Sequence, residues 1–484
     1  MDQRIKLKTL LIIPPVSHHH SLNTSHGKHA RRGLLPPLGA GYIAAVLLQA
    51  GHQAKIIDAQ VLGLSVDEIL REVDAYRPDV LGISFLTPQE NSAYDLIRRL
   101  KQRFKDIPVI VGGAHPTCFP RETMEKCNEI DVLVAGEGEH AVLDIMACLE
   151  AKRTWPEVKG IYYRNGKGQI IETPPDDTLV DLEKLPLPAR HLYPMEAYMP
   201  EPFENKRLPA TNMIVSRGCA YAQCTFCYRS GILKRESRIQ SVSKTLEEIK
   251  GLIREFGIKE FIFYDDDLAA YKGWLISFCD ALDREKLDLS WSFRARANNI
   301  DEPILKRAKE TGCVSVSFGF ESGNQDLLNN IKKGITLEQS RRAAALANGL
   351  GLEVLGTFML GLPGETPEKA EKTIRFAIEL DCSYAAFIPT HPHRGTPLYE
   401  QCQREGQVIV PVYSEKMCEI RYIPAITYVP AGYKDAGEVQ AMVRKAYRRF
   451  YLRPGFFLKH LRKVRTSEDV KRYWDGLKYL SGLS

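Results

Sequence analysis

Short apolar runs alternate with amphipathic stretches along most of this 484-residue chain, and this alternation restricts the fold more than any other feature. Two of the stretches, Gly39 to Ala50 and Asn91 to Phe104, carry apolar residues at helical spacing. Strands that alternate with helices predict a doubly wound parallel sheet over residues 1–150. The five predicted strands are LKTLLIIPP, QAKIIDA, DVLGISFL, PVIVGG and DVLVAGEGE.

A second series of strand-then-helix units predicts a parallel barrel over residues 206–400, with its active site at the carboxyl ends of the strands. A connector, residues 151–205, separates the two predicted domains. It combines a hairpin signal, IYYRNGKGQIIET, with frequent prolines. Residues 401–484 form a C-terminal extension. The predicted fold class is therefore α/β, followed by a helical extension.

The composition fits a large protein of a reducing compartment. At 484 residues and 44% hydrophobic residues, the chain can bury at least two cores. It contains no run of eighteen apolar residues, and the apolar part of its N-terminus is too short for a signal peptide. Eleven cysteines, an odd number and mostly scattered, do not form a disulfide framework. We therefore expect a cytoplasmic protein.

Three cysteines stand close together in the segment MIVSRGCAYAQCTFC, at Cys219, Cys224 and Cys227. A [4Fe-4S] cluster is normally held by four cysteine thiolates, so three would leave one iron open to a reacting ligand. A zinc site with a distant fourth ligand and three reduced thiols are the alternatives. Structural zinc sites usually show two pairs of ligands, which this segment lacks.

The segment resembles the cysteine motif of the radical S-adenosylmethionine superfamily. That motif has an aromatic residue before its last cysteine, and Phe226 occupies this position here. The resemblance implies a partial (β/α)6, TIM-like barrel that holds a [4Fe-4S] cluster on Cys219, Cys224 and Cys227. It also implies that S-adenosylmethionine binds the open iron and is cleaved to a 5'-deoxyadenosyl radical. The chain departs from the family by placing four residues, not three, between the first two cysteines.

The same resemblance assigns residues to S-adenosylmethionine. Three aspartates follow the run KEFIFY; by similarity Asp265 and Asp266 hold the amino group of the cofactor, although Asp is also a favoured helix cap. Arg294 and Arg296 alternate along one strand, and one of them is expected to bind the methionine carboxylate. The residues expected to contact the cofactor are Phe226, Asp265, Asp266, Arg296, Glu321 and Ser322. The segment from His393 to Thr396 departs from the family pattern near the expected substrate region.

Polar and glycine residues end several strands of the N-terminal sheet. Ligands of such sheets bind outside the carboxyl ends of the strands, where glycines allow a close approach to the backbone. Ordinary turns would explain any one of these positions. The candidate ligand residues at these ends are Ser84, Gly112, Gly113, His115, Gly136 and Glu137.

Together with the phrase PPLGAGYIAAVLLQAGH, these strand ends resemble the cobalamin-binding domain found before the barrel in one large class of radical enzymes. The resemblance implies a Rossmann-like domain that binds cobalamin without a histidine on cobalt, because the Asp-x-His-x-x-Gly motif is absent. Pro37 and Leu38 join the expected cobalamin contacts. The alternative is a domain that keeps the fold and binds no corrin.

Two further segments carry unusual composition. Residues 17–32 contain five histidines in a polar stretch, which is expected to be a loop at the ligand end of the sheet. Residues 441–484 hold twelve Lys or Arg and three acidic residues, interleaved with aromatic residues. Such a face can contact anionic lipid at the inner side of a membrane, or it can be solvated with its aromatics packed on the barrel. We expect no nucleic-acid partner, because no recognition module is present.

By analogy with the class, we expect methylation of an unactivated carbon, with a small molecule or a lipid as substrate. A flavodoxin or ferredoxin is the expected electron donor. One alternative is a cobalamin-dependent rearrangement or cyclisation without methyl transfer. A second is a corrin-binding or membrane-surface protein with an inactive barrel. The sequence fixes neither the substrate nor the oligomeric state.

Overall fold

The computed structural model describes residues 6–16, 33–230, 236–409 and 426–456. The chain divides into two compact units, Met1–Met199 and Pro200–Ser484. The histidine-rich segment 17–32 lies outside the described residues, as does the basic segment 457–484. Each unit is built around its own parallel sheet, as the two series of strand and helix signals predict.

The first unit contains a seven-stranded sheet with the strand order β2-β1-β3-β4-β5-β6-β7. The first five strands are parallel, and all five correspond to the predicted apolar runs. The order 2-1-3-4-5 reverses between β1 and β3, which is where doubly wound sheets place their ligands. The strands are β1 Lys8–Ile13, β2 Gln53–Asp58, β3 Val80–Ser84, β4 Val109–Gly112, β5 Val132–Val134, β6 Ile161–Arg164 and β7 Ile170–Glu172.

Helices cover both faces of this sheet. Successive side chains of β3 point to opposite faces of the sheet: Leu81 and Ile83 belong to one buried cluster, and Val80 belongs to the other. The two helices predicted from apolar spacing are present and shifted by one residue. The helices are α1 Leu38–Gln49, α2 Ala59–Leu62, α3 Val66–Tyr76, α4 Glu90–Arg103, α5 Ala114–Cys118, α6 Pro120–Lys126 and α7 Glu139–Glu150.

The hairpin predicted within the connector 151–205 forms β6 and β7. Strand β6 pairs antiparallel with β5, so the hairpin extends the sheet of the first unit. The remainder of the connector is mostly irregular and holds two short 3-10 turns, Arg190–Leu192 and Met195–Ala197. The first compact unit therefore continues to Met199, well beyond residue 150.

The second unit contains a six-stranded, fully parallel sheet. Its first and last strands are not paired with each other in the described residues, which gives the partial barrel expected from the sequence. The strands of this unit are β8 Ala210–Met213, β9 Ser216–Arg217, β10 Arg238–Ile239, β11 Glu260–Phe263, β12 Ser290–Ala295, β13 Cys313–Glu321, β14 Glu353–Leu360, β15 Tyr384–Pro389, β16 Gly406–Val408 and β17 Tyr428–Pro430. The barrel order is β15-β14-β13-β12-β11-β8.

Helices join the successive barrel strands, as a right-handed strand-helix-strand connection requires. Several begin at capping side chains, including Ser241, Asp301 and Thr366. The helices are α8 Val242–Phe256, α9 Lys272–Glu285, α10 Glu302–Glu310, α11 Gln325–Asn330, α12 Leu337–Gly349, α13 Pro367–Glu379, α14 Pro397–Glu405 and α15 Ala436–Tyr451.

Helix α15 covers the edge strand β15. The hydroxyl of Tyr447 accepts a hydrogen bond from the backbone N–H of Phe387 at 3.2 Å. The hydroxyl of Tyr451 accepts from the N–H of Ala385 at 3.1 Å and donates to its carbonyl oxygen at 2.9 Å. Because an open strand edge promotes unwanted pairing, these contacts protect the sheet. The described part of the C-terminal extension thus packs its aromatic residues on the barrel, whereas Trp474 lies outside the described residues.

Candidate active site

The three cysteines lie in one loop after the edge strand β8 and the short strand β9. Cys224 is buried, and Cys219 and Cys227 are half-buried. Gly218 enters the loop at a φ of +87°, which favours glycine. The N–H of Cys227 donates to the carbonyl oxygen of Cys224 at 3.0 Å, and the N–H of Arg229 donates to the Cys227 sulfur at 3.5 Å. The backbone therefore holds the three thiols in place, and none of them forms a disulfide bond.

The spacing of these thiols bears on the choice between zinc and a cluster. A single zinc ion requires its sulfur ligands to lie about 2.3 Å from one point. Among the described residues, no three His, Cys, Asp or Glu side chains converge closely enough to share one ion. A [4Fe-4S] cluster is held by cysteine thiolates, and Cys219, Cys224 and Cys227 supply that donor type as free thiols. The donor set fits the cluster.

Arg296 follows β12 and turns its side chain toward the cysteine loop. It is 6% exposed. Its Nη1 donates to the Cys224 sulfur at 3.6 Å, its Nη2 donates to the carbonyl oxygen of Lys333, and its guanidinium lies 3.9 Å from the ring centre of Tyr221. Burial raises the pKa of the Cys224 thiol, whereas the charges of Lys333 and Arg296 oppose that rise. Arg296 is thus brought to the predicted cluster site, where it contacts a cysteine.

Lys333 was not among the residues expected from the sequence. Its Nζ lies 2.7 Å from Oε1 of Glu321, and both side chains are less than a tenth exposed. Glu321 ends β13 at a φ of +63°, and a Cβ on Gly319 would come within 2.4 Å of its Oε1. The backbone is therefore shaped to admit a buried ion pair beside Cys224. No spacing rule assigns this lysine a role from the sequence alone.

The three aspartates after β11 have three different environments. Oδ1 of Asp265 accepts hydrogen bonds from the N–H groups of Val215 and Ser216 and from the Ser216 hydroxyl. Burial raises the pKa of Asp265 to about 6, and its Oδ2 has no partner among the described residues. Asp265 therefore anchors the backbone that leads into the cysteine loop.

Asp266 and Asp267 diverge from that position. Asp266 is about one third exposed and pairs with Nε of Arg229 at 2.9 Å, next to Cys227. Asp267 is buried and accepts the backbone N–H of Arg296 at 3.0 Å and the amide of Asn299 at 2.6 Å. Asp267 occupies the cap position of a 3-10 turn, but its side chain does not cap that turn. A contact between Asp266 and the cofactor amino group remains a prediction.

The other residues predicted to contact S-adenosylmethionine have different surroundings. Phe226 packs on an apolar cluster that includes Leu327 and Leu398, and Lys333 Nζ lies 5.7 Å from its ring centre. Ser322 is fully buried, and its hydroxyl serves Asn324 and Thr373 of α13. In this structure Ser322 therefore fastens a helix to the sheet, and its contact with S-adenosylmethionine remains a prediction.

Arg294 is separated from Arg296 despite their alternate spacing. Its guanidinium lies 3.8 Å from the ring centre of Tyr264 and 3.9 Å from Oε1 of Glu204, and its side chain is 43% exposed. The two arginines therefore have matching aromatic partners but differ in burial and in proximity to the cysteines. The structure favours Arg296 as the functional member of the pair.

Two histidines follow the last barrel strand, β15. The ring of His393 lies 5.2 Å from the ring of Tyr228, the residue after Cys227. Nδ1 of His391 hydrogen bonds to the Thr427 hydroxyl at 2.9 Å, while its Nε2 has no partner among the described residues. Burial lowers the pKa of His391 to about 4, and it also lowers the pKa of His393. Both imidazoles are therefore neutral near pH 7.

In the first unit, the carboxyl ends of β3 and β4 form the predicted ligand edge. Ser84 pairs with Gly112 in the strand register. Gly113 has a φ of +102°, and a Cβ there would come within 2.9 Å of the Phe85 carbonyl oxygen and 3.0 Å of the Ser84 hydroxyl. Leu86, the second residue after β3, is 57% exposed. This edge therefore offers bare backbone beside an exposed apolar side chain.

The other residues predicted to contact cobalamin make contacts within the first unit. Gly136 has a φ of +98° and donates its N–H to the Thr117 hydroxyl at 3.0 Å, and Glu137 accepts from the N–H of Val180 at 3.3 Å. Pro37 caps α1 without a side-chain bond, and its carbonyl oxygen accepts from the Tyr193 hydroxyl. Leu38 is buried.

His115 lies in the core of the first unit and not on its surface. Its ring is fully buried, stacked on Phe85 at 5.4 Å and tilted against Phe119 at 5.3 Å, with Nε2 3.4 Å from the Tyr94 hydroxyl. Helix α5 begins at Ala114 and turns this side chain inward. His115 therefore supports the strand ends, and its contact with cobalamin remains a prediction.

The ligand edge of the first unit presents backbone and apolar surface to a ligand. Positive-φ glycines leave the backbone uncovered, and Leu86 exposes apolar surface at the position where the strand order reverses. No described residue forms an Asp-x-His-x-x-Gly ligand motif for cobalt. Cobalamin bound at this edge would therefore be held by surface contacts and backbone groups.

Comparison with known proteins identifies both units. The B12 binding domain family matches residues 28–146, and the Radical SAM superfamily matches residues 213–377. An uncharacterized methyltransferase from Pyrococcus horikoshii is 32% identical over 455 residues, which cover 94% of this chain and 95% of that protein. Anaerobic magnesium-protoporphyrin IX monomethyl ester cyclase from Rubrivivax gelatinosus is 28% identical over 430 residues, covering 88% of this chain and 75% of that protein.

A solved structure supports the fold. The radical S-adenosylmethionine methyltransferase TsrM from Kitasatospora setae, with tryptophan and an analogue of S-adenosylmethionine bound, aligns with a TM-score of 0.72 at 18% identity. The alignment covers 91% of this chain and 89% of that one. With the end-to-end relationship to the archaeal methyltransferase, these matches show that the chain belongs to the cobalamin-dependent radical S-adenosylmethionine enzymes, whose cofactors are a [4Fe-4S] cluster, S-adenosylmethionine and cobalamin.

Proposed function

We propose that this enzyme transfers a methyl group to an unactivated carbon of a small-molecule substrate. The observation that carries the proposal is the match to the Pyrococcus methyltransferase, which spans nearly the whole length of both chains. Insertions or missing domains would signal a different use of the scaffold. The cyclase relative, in contrast, extends beyond the part that this chain matches.

When bound, the cluster supplies the electron that cleaves S-adenosylmethionine, and cobalamin carries the methyl group. The residues proposed to hold the cluster are Cys219, Cys224 and Cys227. Asp265 keeps the loop in place by binding the backbone of Val215 and Ser216. A buried, hydrogen-bonded anchor of this kind fixes the sulfurs in position before the cofactors bind.

Beside the cysteines, the buried pair of Lys333 and Glu321 is proposed to receive S-adenosylmethionine. A lysine ammonium complements the methionine carboxylate, and a glutamate at a strand end complements ribose hydroxyls. Asp266, about one third exposed next to Cys227, is the remaining candidate for the amino group. In this proposal Phe226 supplies apolar surface beneath the cofactor.

The substrate is proposed to meet the segment after β15, where the residues from His393 to Thr396 depart from the more usual family pattern and His391 stands two residues before them. Both imidazoles are neutral near pH 7, so each ring nitrogen without a partner can donate or accept a hydrogen bond. Nε2 of His391 is the clearest such group among the described residues. This segment is expected to select the substrate without changing its charge.

A second candidate function is a rearrangement or cyclisation without methyl transfer, which the relationship to the Rubrivivax cyclase favours. The two proposals differ in what becomes of S-adenosylmethionine. Methyl transfer consumes S-adenosylmethionine in two ways and yields both S-adenosylhomocysteine and 5'-deoxyadenosine. A rearrangement yields 5'-deoxyadenosine without S-adenosylhomocysteine.

The test is an anaerobic assay of the reconstituted, reduced enzyme with cobalamin and S-adenosylmethionine, in which both products are quantified by chromatography. Methyl transfer predicts that both form in the wild type. The Cys227→Ala variant is the control and should form no 5'-deoxyadenosine. Formation of 5'-deoxyadenosine alone in the wild type would replace the methyltransferase proposal with the rearrangement.

The proposal also includes an electron-donor protein and a cellular location for the enzyme. Every described cysteine is a free thiol, which supports a reducing, cytoplasmic compartment. A flavodoxin or ferredoxin is proposed as the electron donor. No helix among the described residues is both long and apolar enough to cross a membrane. Peripheral membrane contact through the C-terminal extension remains a proposal that concerns mainly residues outside the described ranges.

A further inference from the structure

Arg296 occupies a position that its predicted role does not explain. Its side chain is 6% exposed, and two of its three nitrogens are engaged. Nη1 donates to the Cys224 sulfur at 3.6 Å, and Nη2 donates to the carbonyl oxygen of Lys333. Nε has no partner among the described residues. The guanidinium therefore points at a cluster cysteine, and its Nε–H is not engaged by any described residue.

No described carboxylate forms an ion pair with the guanidinium of Arg296, although the charge of the buried Asp267 acts on it from nearby. Asp267 binds the backbone N–H of Arg296 and the amide of Asn299, not the guanidinium. The other nearby cation, Lys333, is already paired with Glu321. A buried charge is costly unless an opposite charge accompanies it. The environment of Arg296 is therefore suited to negative charge on or near Cys224.

The four-residue spacer between Cys219 and Cys224 contains a residue that covers this arginine. The ring of Tyr221, within the four-residue spacer, covers the guanidinium at 3.9 Å. The Tyr221 hydroxyl donates to the Lys332 carbonyl oxygen at 2.8 Å, and a Cβ on Gly334 would come within 2.2 Å of that hydroxyl. Ala222, in the same spacer, adopts a φ of +44°, an uncommon value for alanine.

We propose that Arg296 is a positioning residue that raises the reduction potential of the cluster by hydrogen bonding to the Cys224 sulfur. Tyr221 and the turn from Lys332 to Gly334 clamp the guanidinium in place. Reduction adds one electron from the external donor to the cluster, breaks no bond and moves no proton. The added negative charge is stabilised by the adjacent guanidinium and by its N–H, which are the features known to raise cluster potentials.

This inference rests on the proposed cluster and adds a function for Arg296 that differs from binding the methionine carboxylate. The two roles predict different defects. Loss of a carboxylate ligand weakens the binding of S-adenosylmethionine and leaves the cluster potential unchanged. Loss of a sulfur hydrogen bond lowers the potential even when S-adenosylmethionine is absent.

The experiment is a potentiometric titration of the reconstituted full-length enzyme without S-adenosylmethionine, in which the reduced cluster is followed by electron paramagnetic resonance. Iron and sulfide are quantified first in every sample. For Arg296→Gln, we expect at least a tenfold lower ratio of reduced to oxidised cluster at a fixed potential, equivalent to about 59 mV for a one-electron couple. Arg296→Lys, which keeps the charge, should recover part of the loss.

Arg294→Gln is the matched control, because Arg294 also stacks on a tyrosine but does not contact a cysteine. Its titration should coincide with that of the wild type. Tyr221→Leu keeps Arg296 but removes the clamp, and it should lower the potential by less than Arg296→Gln does. If Arg296→Gln does not retain the cluster, the Tyr221→Leu and Arg296→Lys titrations decide the question.

An unchanged potential in Arg296→Gln would overturn the inference, and weaker binding of S-adenosylmethionine in that variant would assign Arg296 to the carboxylate instead. A wild-type potential in Tyr221→Leu would overturn the role of the clamp. Failure of the wild-type enzyme to incorporate iron would overturn the proposed function together with this inference. The iron analysis separates that outcome from a failure of the inference alone.

Discussion

The two parallel sheets of this chain use their carboxyl ends differently. In the first unit, that edge consists of positive-φ glycines such as Gly113, backbone groups and the exposed Leu86. In the second unit, it consists of thiols and buried charges, including Arg296 and the pair of Lys333 and Glu321. The first edge is suited to bind a ligand by complementary shape, and the second is suited to bind one by charge.

This difference follows from the cofactors that the two units bind. A corrin brings its own reactive metal, so the protein needs chiefly a complementary surface and room for the ring. A cluster that is reduced and cleaves a charged cofactor needs fixed ligands and fixed charges. We therefore expect substitutions in the second unit to affect chemistry, and substitutions in the first unit to affect corrin binding and stability.

The largest effect is expected at the cysteines. Cys227→Ala should abolish 5'-deoxyadenosine formation and cluster incorporation, because two thiolates do not hold a catalytic [4Fe-4S] cluster. Corrin binding, followed by absorbance, should persist, since the first unit supplies it. Cys382→Ala, at another buried cysteine of the second unit, is the control and should retain the iron. Loss of both cofactors in Cys227→Ala alone would contradict the division between the units.

Removing one partner of the buried ion pair is expected to rank second. Lys333→Met leaves the Glu321 carboxylate buried without its counterion, and such changes typically cost about 3 to 5 kcal/mol. Chemical denaturation of the apoprotein, followed by the fluorescence of Trp274 and Trp291, measures the loss. The double variant Glu321→Gln with Lys333→Met removes both charges and should be more stable than Lys333→Met alone. Equal stability of Lys333→Met and the wild type would show that the pair is not formed.

A pH-dependent effect of somewhat smaller size is expected at Glu365, which follows β14. The side chain is fully buried, its Oε1 accepts from the Tyr433 hydroxyl at 2.9 Å and from the N–H of Gly361, and burial raises its pKa to about 7. The folded state therefore holds this proton more tightly than the unfolded state does. Its contribution is complete below pH 4.5 and is lost as the pH rises through 7, on the order of 3 kcal/mol.

Glu365→Gln removes this titration, so the stability of the variant should fall less between pH 4.5 and 7.5 than that of the wild type. Thermal unfolding at a series of pH values measures the difference. Parallel slopes for the two proteins would mean that Glu365 keeps an ordinary pKa in the folded state.

The smallest effect is expected in the first unit. Gly113→Ala places a Cβ 2.9 Å from the Phe85 carbonyl oxygen at a φ of +102°, which should cost about 1 to 3 kcal/mol and weaken corrin binding. Gly39→Ala, whose Cβ would meet nothing within 4 Å inside α1, is the control and should slightly raise the melting temperature. Both variants should keep their cluster. A wild-type melting temperature for Gly113→Ala would show that this strand end relaxes freely.

Both sheets could be predicted because their strands are apolar runs with turn glycines, and such patterns are local. The cysteine loop was equally accessible, since its three thiols are close in sequence. The aspartates were harder, because adjacent residues on an irregular segment point in different directions: Asp265 and Asp267 bind backbone, and Asp266 reaches Arg229. Only tertiary structure resolves such a divergence.

Two features lay beyond sequence reasoning for a physical reason. Lys333 reaches Glu321 only because a turn after α11 returns the chain to the end of β13, and no local pattern encodes that return. His115 follows a strand end that exposes its glycines, yet α5 rotates its ring into the core. Burial of a single side chain depends on the angle at which a helix leaves a strand, which composition does not determine.

The central claim is that one chain binds two cofactors, a cluster in its second unit and a corrin in its first. The most direct test is the content of iron, sulfide and corrin per chain after anaerobic reconstitution, measured on the wild type and on Cys227→Ala side by side. The account predicts about four iron and four sulfide atoms with one corrin in the wild type, and corrin alone in the variant. Iron without corrin in the wild type, or a single bound zinc ion at the cysteines, would contradict it.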